Sequence, residues 1–115
     1  MPLLKLETNV PLTKEQETPL LAELSKLIAQ TIGKPEQYVM VTFAPVAAVM
    51  SGHPGAAAFV DIRSIGGLSN LVNQKLTQQI CQILQSKLNV TPDRVYLNFT
   101  DVSPENWGWN GETFA

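Results

Sequence analysis

The chain has 115 residues, an ordinary hydrophobic content of 44%, a charged fraction of only 16% and a net charge of −2. It has no lysine or arginine cluster to give the basic footprint of a nucleic-acid binder, and no apolar run approaches the ~20 residues of a membrane span. A single cysteine, Cys81, excludes an intrachain disulfide.

The length predicts one domain spanning residues 1–115. Average proteins carry roughly 25% charged residues, so a shortage of charge on so small a body implies that part of its surface is hidden in an oligomer. The segment Met1-Pro2-Leu3-Leu4-Lys5-Leu6-Glu7 has neither the basic nor the apolar region of a secretory signal. The expected localisation is cytoplasmic, with non-classical release as an alternative.

Pro2 stands directly behind Met1. Methionine is usually trimmed before a small residue, which would leave Pro2 with a free secondary amine able to act as a base or nucleophile. A first strand is predicted over Leu3–Thr8, followed by a helix ending near Ile32. Two starts for that helix are open. Thr13 with Gln16 makes a capping box but leaves Pro19 inside the helix, whereas Thr18 as N-cap puts Pro19 at the first helical position. A second strand is expected over Tyr38–Ala44. His53, in Ser51-Gly52-His53-Pro54-Gly55, sits in turn chemistry and reads as a solvated loop residue.

The pattern then repeats. A strand at Ala57–Ser64 leads through the turn glycines Gly66 and Gly67, with Ser69 as N-cap, to a helix from about Leu68 to Leu88. A strand at Val95–Thr100 follows. Leu20, Leu24, Leu27, Ile28 and Ile32 correspond to Leu76, Ile80, Ile83, Leu84 and Leu88 at a shift of 56, each set making one apolar helix face. Pro35-Glu36-Gln37 and Pro92-Asp93-Arg94 correspond at 57, which reads as a one-residue slip in the turn after the helix.

Two right-handed β-α-β crossovers give an α/β (α+β) fold with a four-stranded sheet and both helices on one face. The strands look apolar on both faces, Tyr38-Val39-Met40-Val41-Thr42-Phe43 and Ala58-Phe59-Val60 in particular, and two helices cover only one. Self-association is the expected cover for the other, and the run after Asp101 is expected to pair with a neighbour's sheet edge. Asn98 stands out, because asparagine is depleted in strands.

Pro2, Gly33-Lys34-Pro35-Glu36-Gln37-Tyr38, Ser64-Ile65-Gly66-Gly67, Pro92-Asp93-Arg94-Val95-Tyr96-Leu97-Asn98 and Gly108-Trp109-Asn110-Gly111-Glu112-Thr113-Phe114-Ala115 lie in one order along the whole chain. In these motifs it resembles the macrophage migration inhibitory factor family of the tautomerase superfamily. The resemblance implies a homotrimer of β-α-β-β-α-β subunits with active sites at the subunit boundaries. It implies a keto–enol tautomerase, an intramolecular oxidoreductase of the phenylpyruvate tautomerase and L-dopachrome isomerase kind. The substrate would be a small aromatic α-keto acid, with neither cofactor nor metal. By the same resemblance Pro2 is the catalytic base, Lys34 and the Ile65 backbone bind substrate, and Asn98 reaches in from the neighbouring subunit. Tyr38, Tyr96, Trp109 and Phe114 match pocket-lining positions.

Such chemistry needs an amine that is free at neutral pH. An α-amino group titrates near 7.7–8.0, and proline's is more basic. Desolvation by apolar walls such as Trp109 and Phe114, with repulsion from Lys34, would lower it. Asn98 or the amides near Ile65 and Gly66 would stabilise an enolate oxygen. Each residue also has a structural reading: Lys34 as a charge at a helix C-terminus, the aromatics as packing, the glycines as a turn.

The chain departs from the family pattern in places. Ala57-Ala58-Phe59-Val60 stands where some members carry a Cys-x-x-Cys, so thiol-redox activity is unsupported. Trp107 replaces a smaller aliphatic residue, and Arg63 adds a positive charge near the rim; both put the preferred substrate in doubt. Two alternatives stay open: hydratase or dehalogenase chemistry on the same proline, for which Arg63 and Arg94 are the only arginines, and a cytokine-like binding protein with vestigial catalysis and an unknown receptor.

Overall fold

Leu4, Leu6 and Thr8 of the first strand are buried, while Leu3, Lys5 and Glu7 between them are only partly so. Successive side chains of a strand point to opposite faces, so this alternation assigns one face of the sheet to the core. The computed structural model describes residues 1–115. Its strands are β1 (Leu3–Thr8), β2 (Met40–Pro45), β3 (Ala58–Ser64) and β4 (Val95–Asp101), with helices α1 (Lys14–Ile32) and α2 (Asn70–Leu88) and a terminal pair β5 (Gly108–Trp109) and β6 (Glu112–Thr113). Short 3₁₀ turns lie at Glu36–Tyr38, Pro92–Arg94 and Pro104–Asn106.

The sheet order is β2-β1-β3-β4. β1 runs parallel to β2 and β3 parallel to β4, and the two units meet through the antiparallel β1–β3 pair. Leu3 pairs with Met40 and Ala58 with Val95, so both crossovers span the same length of chain. The expected slip between repeats is therefore not an insertion. Helices, left-handed caps at Gly33 and Asn89, and 3₁₀ turns all correspond at one constant shift. What moves is the proline, which caps the first turn as Pro35 and opens the second as Pro92. Both positions tolerate a residue without an N–H.

The core joins Leu20, Leu24, Ile28 and Ile32 of α1 to Leu76, Ile80, Leu84 and Leu88 of α2 above Leu4, Leu6, Val60 and Ile62 of the sheet. Each such side chain contributes about 1.5–3 kcal/mol on burial, far more than any local propensity. That margin explains Pro19. The capping box of Thr13 and Gln16 is formed and Pro19 lies inside α1. The carbonyl of Glu15, which loses its helical donor, sits in an exposed first turn where water can replace it.

The open face differs from the one expected. Its cross-strand rows read Met40, Leu3, Arg63, Thr100; then Thr42, Lys5, Asp61, Asn98; then Ala44, Glu7, Phe59, Tyr96. It is a mixed surface with a charged middle, apolar only toward its ends. The runs that looked doubly apolar conceal an alternation, because Val41 and Phe43 pack toward the helices while exposed Met40 does not. The second strand also starts later than expected. Tyr38 and Val39 donate to the carbonyls of Pro35 and Glu36 at 3.0 and 2.9 Å, so Tyr38 belongs to a 3₁₀ turn. The C-terminal run folds back on itself: β5 and β6 pair around Asn110 and Gly111, whose φ values of 51° and 84° make an Asn-Gly hairpin turn. No helix is long and apolar enough to cross a membrane.

Candidate functional site

Pro2 is fully buried. Its carbonyl accepts the Met40 N–H at 3.0 Å, which extends the β1–β2 ladder by one rung and pins the N-terminus at the end of the sheet. Around it lies a cleft of about 620 Å³ whose lining includes Pro2, Tyr38, Met40, Arg63, Trp107 and Trp109. A smaller cleft of about 320 Å³ lies beside it, lined by Lys34, Pro35, Ile65 and Pro104. Met1, Tyr38 and Phe114 line both and form the partition between them.

The aromatic wall is built by the terminal hairpin. Trp109 meets Tyr38 edge-on at 5.8 Å and 83°, and stacks on Phe114 at 6.1 Å and 8°. Pairs of this kind add about 0.5–1.5 kcal/mol beyond burial. The Phe114 N–H donates to the carbonyls of Pro104 (3.2 Å) and Trp107 (3.1 Å), which holds the chain end against the preceding 3₁₀ turn.

The loop after β3 is equally constrained. The Ser64 hydroxyl donates to the Gly66 carbonyl at 2.7 Å, and the Gly66 N–H donates to Asp101 Oδ1 at 3.0 Å. Gly66 is thus unavailable as an oxyanion donor, contrary to one expectation. No acceptor in the chain engages the Ile65 N–H, so it is one of the loop amides left free, and it lies on the smaller cleft.

The amino terminus of Met1 titrates below its ordinary value of 8.0, first because burial desolvates the ammonium and second because Lys34 repels it. Both causes belong to the position: apolar walls and a lysine around the start of β1.

Six of the sequence-derived site residues therefore converge on the two joined clefts: Pro2, Tyr38, Trp109 and Phe114 around the larger, and Lys34 and Ile65 at the smaller with Tyr38 and Phe114 shared. Two do not. Tyr96 and Asn98 lie on β4, exposed on the open face opposite Phe59 and Asp61. Gln37, Met40 and Asn106 line the larger cleft and were not singled out in the sequence. Met40 could have been found from its pairing position beside Leu3; nothing marks the other two.

Arg94 lies at the far end of β4. Its guanidinium donates to the carbonyls of Met50 (2.7 Å), Gly55 (2.8 Å), His53 (2.9 Å) and Ala56 (3.1 Å). It is a clamp on the loop before β3. His53 is exposed in that loop.

The family model for macrophage migration inhibitory factor (MIF) matches residues 1–115. Macrophage migration inhibitory factor of Rattus norvegicus is 38% identical over the full length of both chains. The macrophage migration inhibitory factor homologue from Prochlorococcus marinus superimposes with a TM-score of 0.93 at 35% identity, over 98% of this chain and 99% of that one. The Toxoplasma gondii protein gives 0.94 at 30% identity, over 97% and 99%.

Proposed function

The chain belongs to the macrophage migration inhibitory factor family, and from that premise we propose that it is a cofactor-independent keto–enol tautomerase whose general base is the Pro2 amine, freed by removal of Met1. One observation carries this reading: Pro2 is fully buried at a cleft where desolvation and Lys34 already hold the amino terminus below its ordinary pKa.

A secondary amine on Pro2 would inherit the same two influences. Both lower its pKa and so enlarge the unprotonated fraction available as a base near neutral pH. The substrate is an aryl α-keto acid. Lys34 holds its carboxylate, and its ring lies against Tyr38, Trp109 and Phe114. The Pro2 nitrogen takes a proton from the carbon next to the carbonyl; the C–H electron pair becomes the enolate double bond, and the carbonyl oxygen gains the charge. The Ile65 N–H stabilises that oxygen, which takes a proton from water to give the enol, and the protonated Pro2 returns its proton to solvent. Ketonisation runs the same steps backwards. A base so placed contributes about 10²–10⁴ in rate.

The reading includes a homotrimer of one-domain subunits. Tyr96 and Asn98 are exposed, away from their own subunit's cleft, where they are free to complete a neighbour's. The water-using alternative loses its second arginine, because the Arg94 donors are taken by backbone carbonyls. A signalling role, in keeping with the names of the relatives, is compatible with the same fold.

The test is phenylpyruvate turnover by protein whose N-terminus has been verified by mass. Wild type beginning at Pro2 should be active, and Pro2→Gly or a protein retaining Met1 should lose most turnover while staying folded. Full activity with Met1 retained would overturn the assignment of the base.

A further inference from the structure

Arg63 is the one arginine lining the cleft around Pro2, and a monocarboxylate held by Lys34 gives it nothing to bind. It lines the larger cleft, with its side chain 48% exposed. Asp61 accepts from its Nε at 3.4 Å and its Nη2 at 2.9 Å. This fork orients the guanidinium and leaves Nη1 without an acceptor in the chain. Asp61 also lies opposite Lys5 in the β1–β3 register. Lys5 and Glu7 balance each other along β1, so the Arg63–Asp61 pair is the charged group of the open face that reaches the end of the sheet by Pro2. Lys34 lines the adjoining cleft on the other side of the partition made by Met1, Tyr38 and Phe114. Losing Met1 removes one of those three side chains and leaves Tyr38 and Phe114 as the residues common to both spaces. The middle of the joined cavity is aromatic, with Trp109 stacked on Phe114 and edge-on to Tyr38.

We infer that the site selects a dianionic aryl α-keto acid, with Lys34 holding the carboxylate next to the keto group and Arg63 holding a second anionic group on the far side of the ring. The orientation rests on the proposed tautomerase reading; the binding of a second anion does not. Arginine suits that task because its planar fork can engage Asp61 along one edge and offer remaining donors to another carboxylate.

The experiment uses mature protein, with two unreactive probes of equal size, 4-carboxycinnamate and 4-carbamoylcinnamate, titrated calorimetrically at low ionic strength. The acid should bind at least tenfold more tightly than the amide. Arg63→Gln should bring the ratio close to one. Asp61→Asn, which frees the guanidinium, should raise the ratio, a direction that mere structural damage would not produce. Equal affinities in the wild type, or a preference that survives Arg63→Gln, would overturn the inference. Phenylpyruvate turnover measured on the same wild-type sample separates the two readings. Acid preference without turnover sinks the tautomerase and keeps the dianion site; turnover without acid preference does the reverse.

Discussion

Gly67 packs so closely on Ile32 that a Cβ in its place would come within 2.5 Å of Ile32 Cγ2 and 3.0 Å of the Ile32 carbonyl. The contact ties the loop after β3 to the last turn of α1, which keeps Ile65 and Lys34 on one cleft. Gly67 also has φ +78°, a conformation that side chains disfavour.

Gly67→Ala should therefore be penalised twice, by backbone conformation and by overlap with a buried residue. We expect a loss of about 2–4 kcal/mol, the sum of typical values for each effect, read from denaturant midpoints. KM for keto acids should rise as Lys34 and Ile65 move apart. A variant within 0.5 kcal/mol of wild type, about the scatter of neutral surface changes, would mean that the loop yields and does not brace the site.

Much of this arrangement was legible in the chain. The helix faces of Leu20 to Ile32 and Leu76 to Leu88, the cap at Ser69 and the order of elements followed from periodicity and turn chemistry. The polarity of the open face did not. Lys5, Asp61 and Asn98 come from three strands and become one row only through pairing registers, which depend on the whole sheet. The same holds for the cleft. Arg63 shares a cleft with Pro2 because β1 and β3 are antiparallel and place it opposite Leu3, a relation invisible along the sequence. Tyr96 and Asn98 show the converse: the motif around them is plain, but one chain alone does not bring them to Pro2.

The oligomer can be weighed directly. Phe59, Tyr96 and Met40 are 39%, 68% and 62% exposed on the open face, and Tyr96 and Asn98 need a neighbouring cleft to serve a site. Native mass spectrometry should give about three times the 12.6 kDa of the chain. Asn98→Ala should lower turnover yet leave that mass unchanged. A monodisperse monomer with full activity would refute a shared site.

Arg94 should prove structural. Its four carbonyl acceptors belong to the loop before β3, at the end of the sheet remote from Pro2. Hydrogen bonds to a charged group contribute about 1.5–3 kcal/mol, and partial exposure lowers the sum well below four such bonds. Arg94→Met should destabilise by roughly 2–3 kcal/mol while kcat/KM at low temperature stays within twofold. Loss of turnover in a folded, stable Arg94→Met protein would show that this arginine serves the reaction and not only the loop.

The proposed function gives Lys34 two tasks, to hold a substrate carboxylate and to lower the pKa of the amine. Its repulsion is the second cause of the lowered amino-terminal pKa, after desolvation. Removing a like charge raises the pKa of an amine. The acid limb of kcat/KM against pH, which reports the free base, should therefore move to higher pH in Lys34→Ala. It should move only part of the way to an ordinary amine, because the desolvating walls remain. The carboxylate role is separable: losing a charge-assisted hydrogen bond corresponds to about 1.5–3 kcal/mol, roughly 10- to 150-fold in kcat/KM. Keto acids should suffer that loss, and the corresponding keto esters, which carry no carboxylate, should show mainly the pH shift. Equal losses for acids and esters with an unmoved limb would reduce Lys34 to a charge at the end of α1.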